Sequence, residues 1–148
     1  MSLESWLQNS WLVRHTTSAE EIANLLRISD RDLAACKVPG LPADWRLAIA
    51  YNAALQAATA ALASAGYRAA RDNHHYRVIE SLRFTVAQTA LTIDTFDGFR
   101  KKRNFSSYDA AGSVSEKEAS EMLKLAAMLR ADVETWIRAT RPHLLKAK

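Results

Sequence analysis

One cysteine, Cys36, is all this chain contains, so no disulfide can close within it, and that usage fits a reducing cytosol. With no activating partner in the pattern, Cys36 reads as a small buried apolar residue rather than a nucleophile. Helix breakers are scarce as well: 4 glycines and 3 prolines in 148 residues leave room for long helices. Strand-like alternation never lasts, and no segment repeats. The sequence has no P-loop, no dinucleotide fingerprint and no Gly-x-Ser-x-Gly elbow, which removes the usual marks of the common enzyme classes. Metal-ligand spacing is missing too. His74 and His75 are adjacent, so on a helix they point about 100° apart, and no His-Glu-x-x-His, Glu-x-x-His or cysteine partner accompanies them. No metal and no cofactor is expected. The first residues carry Glu4 and no basic cluster, and Gln8, Asn9 and Ser10 interrupt their apolar pattern, unlike a secretory signal. The expected location is the cytoplasm.

Charge is absent from one long stretch, Leu47 to Tyr67. Its length would suit a membrane span, but nearly half of it is alanine and it includes Asn52, Gln56, Thr59 and Ser64, so its transfer to lipid is poor. It reads as a central helix enclosed by others. What is present elsewhere describes one ordinary domain: 49% hydrophobic and 24% charged residues, in a chain long enough to bury a core. A net charge of +4 and a pI near 9.4 permit a nucleic-acid partner without demanding one.

The helices can be marked out in order. Leu3, Leu7 and Trp11 share a side of a short opening helix. Thr17 and Ser18 precede Glu20 and Glu21 at capping-box spacing, and Ile22, Leu25, Leu26 and Leu33 follow at helical intervals, up to the linker Val38-Pro39-Gly40-Leu41-Pro42. From Pro42 a long alanine-rich helix carries Trp45, Ala48, Tyr51, Leu55 and Leu62 until Gly66 stops it. So many alanines let neighbouring backbones approach closely, in the middle of a bundle or at a tight dimer seam. Asp72 or Asn73 can cap a helix with the stripe Ile79, Leu82, Val86, Thr89 and Ile93, and Thr92 or Asp94 can open a new turn. The pattern leaves open whether His74 to Arg103 is one bent helix or two. Ser115 and Glu118 then form a capping box for a final helix with the stripe Met122, Leu125, Ala126, Leu129, Val133, Trp136 and Ile137, ended by Pro142. The expected fold is all-α: an up-and-down bundle of four or five main helices, with 1–38 as an N-terminal helical extension, 43–140 as the core bundle and Phe105 to Val114 as a loop.

The densest positive charge, Arg100 to Arg103, lies in F-D-G-F-R-K-K-R-N-F-S-S-Y-D, Phe96 to Asp109. Four consecutive cations wrap round a helix. Arg100 and Arg103 share a face with Phe96 and Phe99, while Lys101 and Lys102 point elsewhere. An arginine against apolar neighbours can grip a phosphate or carboxylate bidentately and keeps its proton. Two plainer explanations compete with this. Cations collect at a helix C-terminus because its dipole favours them, and Arg103 can brace the bundle against Asp109 or Glu80. Glu80 also stands within a turn of Arg77 and Arg83, the spacing of a surface ion pair.

Taken together, A-Y-N-A-A-L-Q-A-A-T-A-A-L-A-S-A-G-Y-R, N-H-H-Y-R-V-I-E-S-L, F-R-K-K-R-N-F-S-S-Y-D and the capped final helix resemble the HEPN superfamily, helical domains often found beside nucleotidyltransferases and similar to their substrate-binding subunits. The likeness covers Trp45 to Trp136, and the N-terminal part, with R-D-L-A near Asp30, is similar to the extension of a bacterial subgroup. Many members carry Arg-x4-to-6-His at a dimer cleft and cut RNA without metal, histidine handling the ribose hydroxyl proton and arginine the phosphate. Arg103 and Asn104 match the polar start of that motif, and Tyr108 stands where the histidine would be. The tyrosine modified in some related toxin–antitoxin pairs corresponds here to Ala110. An unperturbed tyrosine, with a pKa of about 10, is a poor general base near neutrality, but it can donate a hydrogen bond or stack on a base. The resemblance therefore implies a noncatalytic homodimeric module whose cleft, with Arg100, Lys102, Arg103, Asn104, Tyr108, His74 and His75, binds RNA, a nucleotide or a nucleotidyltransferase partner. The alternative is a metal-independent ribonuclease, a toxin or defence enzyme, using Arg103, Asn104 and Tyr108 with His75 as substitute proton acceptor. The two are told apart by whether His75 lies within hydrogen-bond reach of the Arg103 and Tyr108 cluster.

Overall fold

The computed structural model of the chain describes residues 1–108 and 114–146, with residues 104–108 described in backbone only. It is an all-α bundle. Four long helices, α2 (Ala19–Ala35), α3 (Ala43–Ser64), α5 (Ala90–Tyr108) and α6 (Glu116–Thr140), are joined by two short ones, α1 (Leu3–Gln8) and α4 (His74–Glu80).

The alanine-rich α3 is the centre. Ala50, Ala53, Ala54, Ala57, Ala58, Ala60 and Ala61 are fully buried, and α2 and α6 pack along α3 more extensively than any other helices. Small side chains make this approach possible: on α2, the buried Ser29 hydroxyl donates to the Ala53 carbonyl at 2.8 Å. The alanines are thus spent inside the bundle rather than at a seam between two chains. Among the described residues α3 is the helix long and apolar enough to cross a membrane, but 72% of that window is buried by its neighbours. Its polar residues are partnered within the fold; Asn52, for example, donates to the buried Asp32 carboxylate on α2 at 2.6 Å.

The caps explain most helix boundaries. Ser18 accepts from the Glu21 amide to start α2, and Ser115 and Glu118 form a reciprocal capping box at the start of α6. Gly66, at φ +98°, adopts the left-handed conformation that lets the chain leave α3. Pro42 stands at the N-cap of α3 and the last turn of α6 ends before Pro142.

Several expectations change. Trp11 lies beyond α1, and the buried residue of that helix is Trp6. After α1 the chain extends as β1 (Leu12–Arg14), which pairs antiparallel with β2 (Tyr67–Ala69), Leu12 opposite Ala69. Pairs this short leave almost no alternation in the sequence. Through this ribbon, and through Ile22 and Leu26 buried in the common core, the first 38 residues are part of the bundle. Trp45, placed on the apolar stripe of α3, is instead 64% exposed. His74 to Arg103 is two helices, not one. After α4 comes a 3-10 turn at Ser81–Arg83, then Ala87 in a left-handed conformation (φ +56°), and α5 is capped by Thr89, whose hydroxyl accepts from the Thr92 amide at 3.1 Å. The stripe from Ile79 to Ile93 is therefore split between elements, although Ile79, Leu82 and Ile93 are all buried. Finally, α5 continues through Phe105 to Tyr108, so the loop begins later than the pattern suggests.

That last difference bears on the basic run. A helix dipole acts within its terminal turn. Arg100 to Arg103 lie more than a turn inside α5, so its dipole is a poor reason for their presence.

Candidate functional site

Tyr51 is the residue on which the site is built. It projects from the alanine-rich α3, 1% exposed, with its ring edge-on to Phe96 of α5 at 5.6 Å between centroids. A buried tyrosine hydroxyl needs a partner. Here it is His75 in the first turn of α4, with Tyr51 Oη and His75 Nδ1 3.2 Å apart. The position of α4 follows from what precedes and flanks it. Asn73 takes the left-handed φ of +56° that turns the chain into the helix, a conformation asparagine tolerates. Arg77 stacks its guanidinium 3.8 Å from the Trp11 ring centre and 5.6 Å from that of Trp6, holding α4 against the N-terminal segment.

From the other side α5 delivers its cations. The Arg103 guanidinium carbon lies 5.4 Å from the centre of the Tyr51 ring, and that of Arg100 lies 5.7 Å from the centre of the Tyr76 ring. Arg100 Nε donates to the buried Asp97 carboxylate at 2.6 Å, with Lys101 at 3.7 Å from the same group. That hydrogen bond raises the Arg100 pKa further. Phe96 and Phe99 are buried and Lys101 is exposed, as the shared face of Arg100 and Arg103 requires.

Electrostatics then sort the titratable groups. Burial first, and then the positive charges of Arg103, His74 and Arg100, push the His75 pKa below the ordinary histidine range, so the ring is neutral near pH 7. Burial pushes the Tyr51 phenol up to about 12 against the opposing pull of Arg103 and Arg100. It stays protonated under all working conditions, which makes it a hydrogen-bonding group and not a base or nucleophile.

The residues singled out in the sequence divide accordingly. His75, Arg100 and Arg103 converge through Tyr51 and Tyr76. His74 is exposed beside His75, ring centres 6.0 Å apart. Lys102 meets Glu118 of α6 at 3.4 Å. The side chains of Asn104 and Tyr108 lie outside the described residues, as do Asp109 and Ala110. Glu80 pairs with Arg83, leaving Arg77 to the tryptophans. Cys36 is buried beside the Arg46 carbonyl, its thiol pKa raised by burial and then by Asp32, as suits an unreactive residue. Sequence reasoning counted Tyr51 as a core residue and missed its role. The available signal was a lone phenol within a run of alanine and leucine, since a hydroxyl buried there must find a partner. Asp97, three residues before Arg100, was equally visible as an i, i+3 pair.

Among the described residues, no group of three His, Cys, Asp or Glu side chains is placed to hold a metal ion. What the cluster does offer is a neutral imidazole and two guanidinium groups beside aromatic rings, a combination suited to an anion and to stacking. No protein-family model, curated protein or solved structure matches the chain.

Proposed function

We propose that this chain is a HEPN-like, noncatalytic, homodimeric helical module of the cytoplasm whose α4–α5 face binds the phosphates of RNA or of a nucleotide, the alternative occupant of that face being a nucleotidyltransferase partner. The observation that carries the binding role is the meeting of His75 and Arg103 on one buried tyrosine, from helices separated in sequence by a break and a new cap. A phosphate can take hydrogen bonds from an imidazole N–H and from a guanidinium brought to the same tyrosine by two helices. The homodimer rests on the family resemblance alone, because the alanines that could have formed a seam are buried within the chain.

Single-stranded RNA is expected to bind with an affinity that falls steeply as salt rises. Arg103→Ala should weaken binding about tenfold or more at low salt and reduce the logarithmic salt slope by about 0.7, the share of one lost phosphate contact. Fluorescence anisotropy at several salt concentrations measures both, and light scattering on the same samples gives the mass. Equal binding by wild type and Arg103→Ala would return the basic run to the surface, and a monomer at tens of micromolar would remove the shared cleft.

One observation favours a second reading, a metal-independent ribonuclease: the depressed pKa of His75 next to Arg103 is what a proton acceptor near neutrality requires. The two readings differ in whether His75 has a free lone pair to offer.

A further inference from the structure

We propose that Tyr51 is a positioning residue that locks His75 in the tautomer with its proton on Nε2, so that His75 serves the site as a neutral hydrogen-bond donor to a phosphate oxygen and not as a base. The argument starts from the buried hydroxyl. Tyr51 is 1% exposed, and among the described residues the partner of its oxygen is His75 Nδ1 at 3.2 Å. Two arrangements satisfy that distance. Either the phenol donates to an unprotonated Nδ1, or a protonated Nδ1 donates to the phenol oxygen and leaves the phenol proton to find another acceptor. In the second arrangement a buried O–H goes without a partner, at a cost of about 1–3 kcal/mol. In the first, the strongest acceptor of a neutral imidazole meets the donor, and nothing is left over.

The surrounding charges favour the same choice. From α5, the Arg103 guanidinium lies over the Tyr51 ring and Arg100, neutralised in part by Asp97, lies over Tyr76. From α4 itself, His74 adjoins His75, and Arg77 is turned to Trp11. Cations beside a phenol make it a better donor, and they oppose a second proton on the imidazole. With Nδ1 occupied as acceptor, the one remaining ring position, Nε2, carries the hydrogen. Among the described residues it has no hydrogen-bond partner, and His75 is only half-buried.

The consequence concerns the class of ligand and rests on the phosphate-binding reading above. A donor N–H within the positive field of Arg103 and Arg100 suits an anionic oxygen, and it cannot accept the proton of a ribose hydroxyl unless the tautomer is reversed and the Tyr51 bond broken. Tyr51 would thus make this a site that holds a phosphodiester without cutting it.

The test is long-range 1H–15N correlation spectroscopy of the histidine side chains in the full chain at pH 7.5, for wild type, Tyr51→Phe and His75→Gln, with and without inorganic phosphate. In wild type, His75 should show a pyridine-like Nδ1 and a pyrrole-like Nε2. Tyr51→Phe keeps the ring and loses the donor, and should shift Nδ1 and Nε2 toward the averaged values of exchanging tautomers. A wild-type His75 with its proton on Nδ1 overturns the proposal without any variant, and so does a Tyr51→Phe spectrum identical to that of wild type. His75→Gln assigns the signals by their loss. Phosphate addition separates the two levels: a fixed Nε2–H tautomer whose Nε2 signal ignores phosphate keeps Tyr51 in its role and refutes the donor function toward phosphate.

Discussion

Phe96→Ala is expected to lower the unfolding free energy by about 3–5 kcal/mol, the usual cost of emptying a large aromatic site that cannot collapse. Phe96 is fully buried, and its ring stands at 74° to that of Tyr51, so its loss opens a space beneath the site as well as in the core. A control lies on the same helix: Leu91 is 77% exposed, and Leu91→Ala should change stability by no more than about 0.5 kcal/mol. Denaturant unfolding followed by circular dichroism measures both, and RNA binding by folded Phe96→Ala at low temperature should be weaker than wild type because Tyr51 loses its support. A Phe96→Ala midpoint equal to that of wild type would mean that α5 does not pack on α3 as described.

The second large effect is catalytic. Wild type should cut RNA negligibly, because on the proposed HEPN-like reading Tyr108 stands where the catalytic histidine would be, and because His75 neighbours a phenol that competes for its lone pair. Tyr108→His should raise cleavage by about 100-fold or more over wild type, the contribution typical of a placed general base, and the gain should disappear when Arg103→Ala is added. A cleavage time course with and without a chelator reads this directly. Robust wild-type cutting that resists the chelator and is lost in both Arg103→Ala and His75→Ala would establish the ribonuclease reading instead.

How much of this was open to a reader of the sequence varies with the range of the interaction responsible. The caps at Ser18 and Ser115, the stop at Gly66 and the interior place of the alanine-rich helix are local or compositional, and they were legible. The face shared by Phe96, Phe99, Arg100 and Arg103 followed from helical periodicity. The β1–β2 pair was not legible, since three residues matched across more than fifty carry no periodic signature. The break between α4 and α5 was hidden because Ile79, Leu82 and Ile93 are buried from both sides of it, which preserves a helix-like stripe through a turn. The site was half visible. Charge density marked Arg100 and Arg103, and their neighbours on α5 could be assigned to faces. The pairing of Tyr51 with His75 joins α3 to α4, and only the three-dimensional arrangement brings them within 3.2 Å.

The chain has another charged face that would attract RNA if the attraction were unspecific. There Arg130 of α6 is held by Asp30 and Glu134, with Arg27 and Arg138 lining the same groove. The most direct measurement is therefore a map of where RNA touches: amide and side-chain chemical-shift changes in the labelled full chain on titration with a short single-stranded RNA. The account requires the changes to centre on His75, Tyr76, Arg100 and Arg103, with Tyr51 responding through its hydrogen bond. Shifts confined to Arg27, Arg130 and Arg138, or no shifts at low salt, would contradict it.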